Sequence, residues 1–190
     1  GLVYDFFGPE LVQPVPESLD GPWYISCDYG TVNPTSMGLW GQKGGVWYRT
    51  AEFYYDSRKT GRQQTDGEYA DDLARLAGGR DIRGVVLDPS AASFREELIR
   101  RGWTVYRAEN EVLSGIRRTA ELLRAGQLVI CSPCEDAIQE FGLYRWDTAA
   151  TGDRVVKEHD HAMDDIRYFA VTVASRRSEG FFAGAVERSG

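Results

Sequence analysis

The strongest constraint on the fold is a change of pattern after residue 60. Residues 23–29, 35–41 and 46–55 are three consecutive β-forming runs rich in Trp, Tyr, Val and Thr. Gln42-Lys43-Gly44-Gly45 joins the second to the third with residues that accept positive φ. Runs so close together pair as an antiparallel meander. The chain then alternates. Thr65-Asp66-Gly67-Glu68 is a capping box opening a helix that stops at Gly78-Gly79. Residues 82–87 form a short apolar strand ending at Asp88-Pro89. Helices follow over 90–101, 113–125, 134–146 and 162–174, with strands at 103–108 and 128–131. Strands separated by helical crossovers run parallel. The expected class is α/β: a mixed sheet, a three-strand antiparallel meander plus parallel strands, flanked by helices on both faces.

At 190 residues the chain holds one substantial domain, expected over 23–174. Residues 1–22 carry Pro9, Pro14, Pro16 and Pro22 and read as an extended lead-in or linker remnant. Residues 175–190 read as a flexible tail. A hydrophobic content of 42% supplies a core and excludes a disordered chain. Trp40, Trp47 and Trp103 sit in strands and read as core, not as base-stacking platforms. No apolar run is long enough to span a membrane, and the acidic, aromatic start is not a signal peptide. Three cysteines are too few for a disulfide framework and suit a reducing cytoplasm. Cys131-Ser-Pro-Cys134 is a lone C-x-x-C without the second pair that zinc needs, so it reads as two reduced thiols. A net charge of −7 argues against coating nucleic acid by bulk charge, though not against an enzyme that holds cations with carboxylates.

Acids stand out by position. Asp28 closes the first strand, Asp88 closes the first parallel strand, and Asp164 and Asp165 lie on the last helix with His161. Ligands of open α/β sheets gather beyond strand carboxyl ends, where a helix crossing that edge adds its own acid. His161 is three residues from Asp164 and four from Asp165, so both pairs share a helix face. The apolar stripe of Ala162, Met163, Ile166, Phe169, Ala170 and Val173 leaves both acids off the core, and periodicity does not choose between them. Arg58, Lys59 and Arg62 form a basic run after the third strand, and Lys157 precedes the last helix. Lys157 reads equally as a phosphate contact or as a solvated charge, whereas for Arg58, Lys59 and Arg62 a solvated charged loop is the default reading beside a DNA contact. Arg117 and Arg118 share that ambiguity, and His159 reads as incidental. Asp28-Tyr-Gly-Thr-Val32 also looks like the phosphate-binding turn of actin-like sugar kinases and chaperone ATPases, which need a second homologous half. No G-x-x-x-x-G-K-[ST] occurs.

Taken together, Asp28-Tyr-Gly30, Asp88-Pro-Ser-Ala91, Gly115-Ile116, Glu140-Phe141 through Asp147, and the string from Lys157 to Tyr168 resemble one family. It is the C-terminal nuclease domain of the large terminase subunit of tailed bacteriophages, of the ribonuclease H-like superfamily. The resemblance runs over about residues 23–174 and is most specific in His-Ala-x-Asp-x-x-Arg-Tyr at 161–168. It implies a metal-dependent endonuclease that cuts double-stranded viral DNA during genome packaging. Two divalent cations, Mg²⁺ or Mn²⁺, would activate the water and stabilise the leaving oxygen. Asp28 would bridge them, Asp88 would complete one site and Asp164 the other, with His161 as a further ligand or a proton-transfer group. The family usually has a small residue where Asp165 stands; Asp164 is thus the favoured ligand and Asp165 the alternative. Lys157, Arg58, Lys59 and Arg62 are weaker candidates for DNA contact. The implied partners are double-stranded DNA, an ATPase motor upstream on the same polypeptide, the small terminase subunit and the portal protein. The implied setting is the cytoplasm of the bacterial host, without a membrane. Two other readings stand beside it: a catalytically weak module that docks on DNA or the portal, and a nuclease like a Holliday-junction resolvase.

Overall fold

A computed structural model describes residues 1–176 together with Val186–Glu187. In chain order the strands are β1 (Val12–Gln13), β2 (Trp23–Asp28), β3 (Thr35–Lys43), β4 (Val46–Tyr55), β5 (Ile82–Leu87), β6 (Val105–Arg107), β7 (Leu128–Cys131) and β8 (Val186–Glu187). The helices are α1 (Ser57–Thr60), α2 (Asp66–Ala77), α3 (Ala92–Arg100), α4 (Val112–Arg124), α5 (Glu135–Phe141) and α6 (His161–Phe169). A π-helical turn, Ala170–Ala174, extends α6. Among the described residues the strands form one sheet in the order β1-β7-β4-β3-β2-β5-β6-β8. β2, β3 and β4 pair antiparallel, whereas β2/β5, β5/β6, β4/β7 and β1/β7 pair parallel. The mixed α/β sheet expected from the change of pattern is the sheet observed.

Helices cover both faces, and the strand residues sort accordingly. Ile25, Cys27, Met37, Leu39, Val85 and Leu87 pack with α2 and α3. Tyr24, Trp40, Trp47, Val86 and Ile130 pack with α4, α5 and α6. Trp40 stacks on Phe169 of α6 at 4.2 Å between ring centroids, in keeping with its place in the core. The period of two puts Tyr24, Ser26 and Asp28 on the α6 face of β2.

Several boundaries differ from those expected. The helix expected over 134–146 ends at Phe141, where Gly142 follows and Tyr144 turns inward to bury its ring. Hydrophobic spacing alone cannot see that turn, because Tyr144 stays at an apolar position. The lead-in is extended but packed: Tyr4 is buried against Phe141 and Tyr144, and Phe7 stacks on Phe141 at 3.8 Å. Val12 and Gln13 then add a parallel strand beside β7. Of the expected tail, residues 177–185 and 188–190 lie outside the described residues, while β8 pairs antiparallel with β6.

Because Tyr4 fills core space, Tyr4→Ala should lower stability by about 3–5 kcal/mol. Chemical denaturation measures this. A change under about 0.5 kcal/mol, the range of surface substitutions, would mean that the burial of Tyr4 adds nothing to stability.

Candidate active site

The parallel pairing of β2 with β5 runs Ser26↔Val86 and Cys27↔Leu87. One residue further on, Asp28 and Asp88 leave the carboxyl ends of adjacent strands side by side. Helix α6 crosses β2 and β3 on the same face. His161, Asp164 and Tyr168, spaced three and four apart, turn toward the strand ends. Asp28, Asp88, His161, Asp164 and Tyr168 thus line a single cleft of about 710 Å³.

Each candidate acid is engaged by a neighbour. The Oδ2 atom of Asp28 lies 2.9 Å from Nδ1 of His161. Asp88 accepts from the Tyr168 hydroxyl at 3.1 Å and from the backbone N–H of Ser90 at 3.1 Å. Asp164 accepts from Arg167 Nη2 at 3.2 Å, and Arg167 Nη1 donates to the carbonyls of Asn110 and Glu111. Arg167 crosses Gly115 so closely that a Cβ there would lie 2.8 Å from its Cδ. Among the described residues no three ligating side chains converge tightly enough to form a preformed ion site.

The cleft is short of compensating charge. Burial raises the Asp28 carboxyl to about 7, against the opposing hydrogen bond from His161. Burial likewise raises Asp164 to about 6, against the pull of Arg167. Burial works against the His161 imidazolium, yet the hydrogen bond and charge of Asp28, with Asp160, raise its pKa. Desolvated carboxylates in this number are what a divalent cation neutralises, and an all-oxygen carboxylate set suits Mg²⁺ or Mn²⁺.

Asp165 points elsewhere. It is fully buried, and its two oxygens accept from Ser26, Ser36 and both Nη atoms of Arg49. Arg58, Lys59 and Lys157 line the cleft, whereas Arg62 lies outside it, ion-paired with Glu68. His159 also lines the cleft, with a left-handed φ of 52°. Sequence reasoning missed Asp160, which lies 3.5 Å from Nε2 of His161, and the hydroxyl of Tyr168. Its position directly before His161 was the available signal for Asp160. It also missed Glu140, whose carboxylate accepts from the backbone N–H groups of Ala162 and Met163 and so caps α6 from α5.

The chain is 41% identical, over 91% of its own length and with a TM-score of 0.88, to the large terminase of a thermophilic bacteriophage solved in complex with ADP. The chain therefore shares the fold of a large terminase. The P22 large terminase nuclease domain matches over 89% of this chain and 90% of its own, with 18% identity and a TM-score of 0.70. The large terminase nuclease of thermophilic phage G20c, solved with bound magnesium, matches over 85% of this chain and 93% of its own, with 17% identity and a TM-score of 0.61. The chain spans 45% of the length of the ADP-bound large terminase. No protein-family model and no curated protein matches the chain. The terminase resemblance read from Asp28, Asp88 and the 161–168 string therefore stands.

Glu140 supplies a pH test. Burial raises its carboxyl from 4.5 to about 7, against the hydrogen bonds from Tyr54, Met163 and Ala162. An acid raised on folding stabilises most below its unfolded pKa and loses that contribution as pH climbs through the folded value. Removing this titration with Glu140→Gln should flatten the fall in stability between pH 4.5 and 7 by up to about 3 kcal/mol. Urea melts across that range measure it, and an unchanged slope would contradict the assignment.

Proposed function

We propose that this chain is the nuclease part of a phage packaging terminase. On this reading it is a metal-dependent endonuclease that hydrolyses phosphodiester bonds of double-stranded DNA with two divalent cations, Mg²⁺ or Mn²⁺. The observation that carries this is the meeting of Asp28, Asp88 and Asp164, from three separate elements, in one cleft where burial raises two of them toward neutrality. The likeness to nuclease domains, including one solved with magnesium, supports it.

Asp28, Asp88 and Asp164 are the proposed ligands. Bound there, the cations would supply Lewis acidity, an activated water and charge stabilisation at the leaving oxygen. Asp165 is disfavoured as a ligand because Arg49 and two serines already occupy its oxygens. His161 keeps one ring nitrogen toward Asp28 and the other toward Asp160. The hydrogen bond to Asp28 and the nearby Asp160 favour its protonated form, which suits it to proton transfer in the cleft. Arg58, Lys59 and Lys157 flank the acids and would meet the DNA phosphates on either side, with Arg62 beyond them. The upstream ATPase motor, small terminase subunit and portal are partners proposed from the resemblance.

With plasmid DNA and Mn²⁺, the protein should cut, and EDTA should abolish cutting. Asp88→Ala should lower the rate by more than the roughly 10–100-fold that losing an outer-shell partner costs. Cleavage that survives both changes would remove the metal mechanism. No cleavage at any Mg²⁺ or Mn²⁺ concentration would favour the docking reading.

A further inference from the structure

The carboxylate of Asp165, buried beneath α6, accepts four hydrogen bonds. Ser26 Oγ and Arg49 Nη1 donate to Oδ1 at 2.6 and 2.5 Å, and Ser36 Oγ and Arg49 Nη2 donate to Oδ2 at 2.6 and 3.1 Å. Neither charged side chain has any exposed surface. The sheet is built around this pair. Trp40 Nε1 donates to Ser26 Oγ at 2.8 Å, and a Cβ at Gly38 would lie 2.0 Å from Arg49 Nη1. Only a residue without a side chain leaves room there.

Two of the partners of Asp165 flank Asp28 in the sheet. Ser26 precedes Asp28 by two residues on the same face of β2, and Ser36 is its cross-strand partner on β3. On α6, Asp165 directly follows Asp164. The contacts also form a closed circuit: Arg49 reaches Glu52 at 3.3 Å, and Glu52 accepts from the backbone N–H of Asp136 at the start of α5. Glu140, at the other end of α5, caps α6. The last helix is therefore held to the sheet at its first turn and again beside Asp164.

We propose that Asp165 and Arg49 are positioning residues, which set the spacing and angle between Asp28 on β2 and the His161–Asp164 edge of α6. The role toward bound cations rests on the ligand reading given above; the geometric role does not. Neither residue touches the cleft, so neither is a catalytic residue. An apolar pair of similar volume fills the same space, and such replacements commonly keep or raise stability. It lacks the directional bonds that fix α6.

The test is the double variant R49M/D165L, compared with wild type as folded, metal-free protein. His159 and His161 are the only two histidines, so the ring ¹⁵N spectrum holds two imidazoles, assigned with H159Q. In wild type, His161 should show the shifts of a ring nitrogen hydrogen-bonded to a carboxylate. In the folded double variant these should move toward those of solvated His159. By calorimetry its Mn²⁺ dissociation constant should rise about tenfold or more, as for lost outer-shell partners. A folded double variant with an unchanged His161 ring overturns the proposal, whatever its Mn²⁺ affinity. If the double variant does not fold, S36A, which removes one donor and strands no charge, should produce a smaller shift in the same direction, and an unchanged ring there overturns it equally. Wild type that binds no Mn²⁺ would sink the ligand reading, while the ring signal would still decide this one.

Discussion

A buried carboxylate, Asp165, meets a buried guanidinium, Arg49, beneath α6, and the rest of the site is arranged around that contact. Two charges removed from water cost several kcal/mol each unless their hydrogen-bonding capacity is filled. Here Ser26, Ser36 and Glu52 fill most of it, and Arg49 lies against Trp40 at 5.7 Å. Breaking the pair strands a charge, so α6 has little freedom to slide or rotate. A helix seated this firmly can carry a second set of acids on its other edge without being driven off by their repulsion.

On the proposed function, those acids account for how a chain of net charge −7 would suit a DNA substrate. Negative charge gathers where the strands end, and burial there raises Asp28 and Asp164 rather than letting both ionise freely. Divalent cations held there would reverse the local sign, so that phosphate would meet positive charge. Basic side chains at the rim, Arg58, Lys59 and Lys157, would guide the nucleic-acid backbone on either side.

Much of this was legible in the sequence. The meander, the helix–strand alternation and the strand-end positions of Asp28 and Asp88 follow from periodicity and glycine stops. What separates Asp164 from Asp165 does not. Hydropathy counts Ser26, Ser36 and Arg49 as polar and expects them at the surface, yet the sheet buries all three. Without knowing that a polar patch lies under α6, no pattern along the helix predicts which acid turns inward. The packed lead-in escaped notice for a related reason. Tyr4 finds its partners at Phe141 and Tyr144, too far along the chain for any local signal. Glu140 is a cap supplied from a different helix, whereas sequence signatures of capping read only neighbours within a few residues.

The central claim is that three acids from two strand ends and one helix share divalent cations. Anomalous scattering from crystals grown with Mn²⁺ tests it most directly. The account predicts peaks between Asp28, Asp88 and Asp164, with the Asp165–Arg49 pair intact beneath them. Peaks at other residues, or none at saturating Mn²⁺, would contradict it.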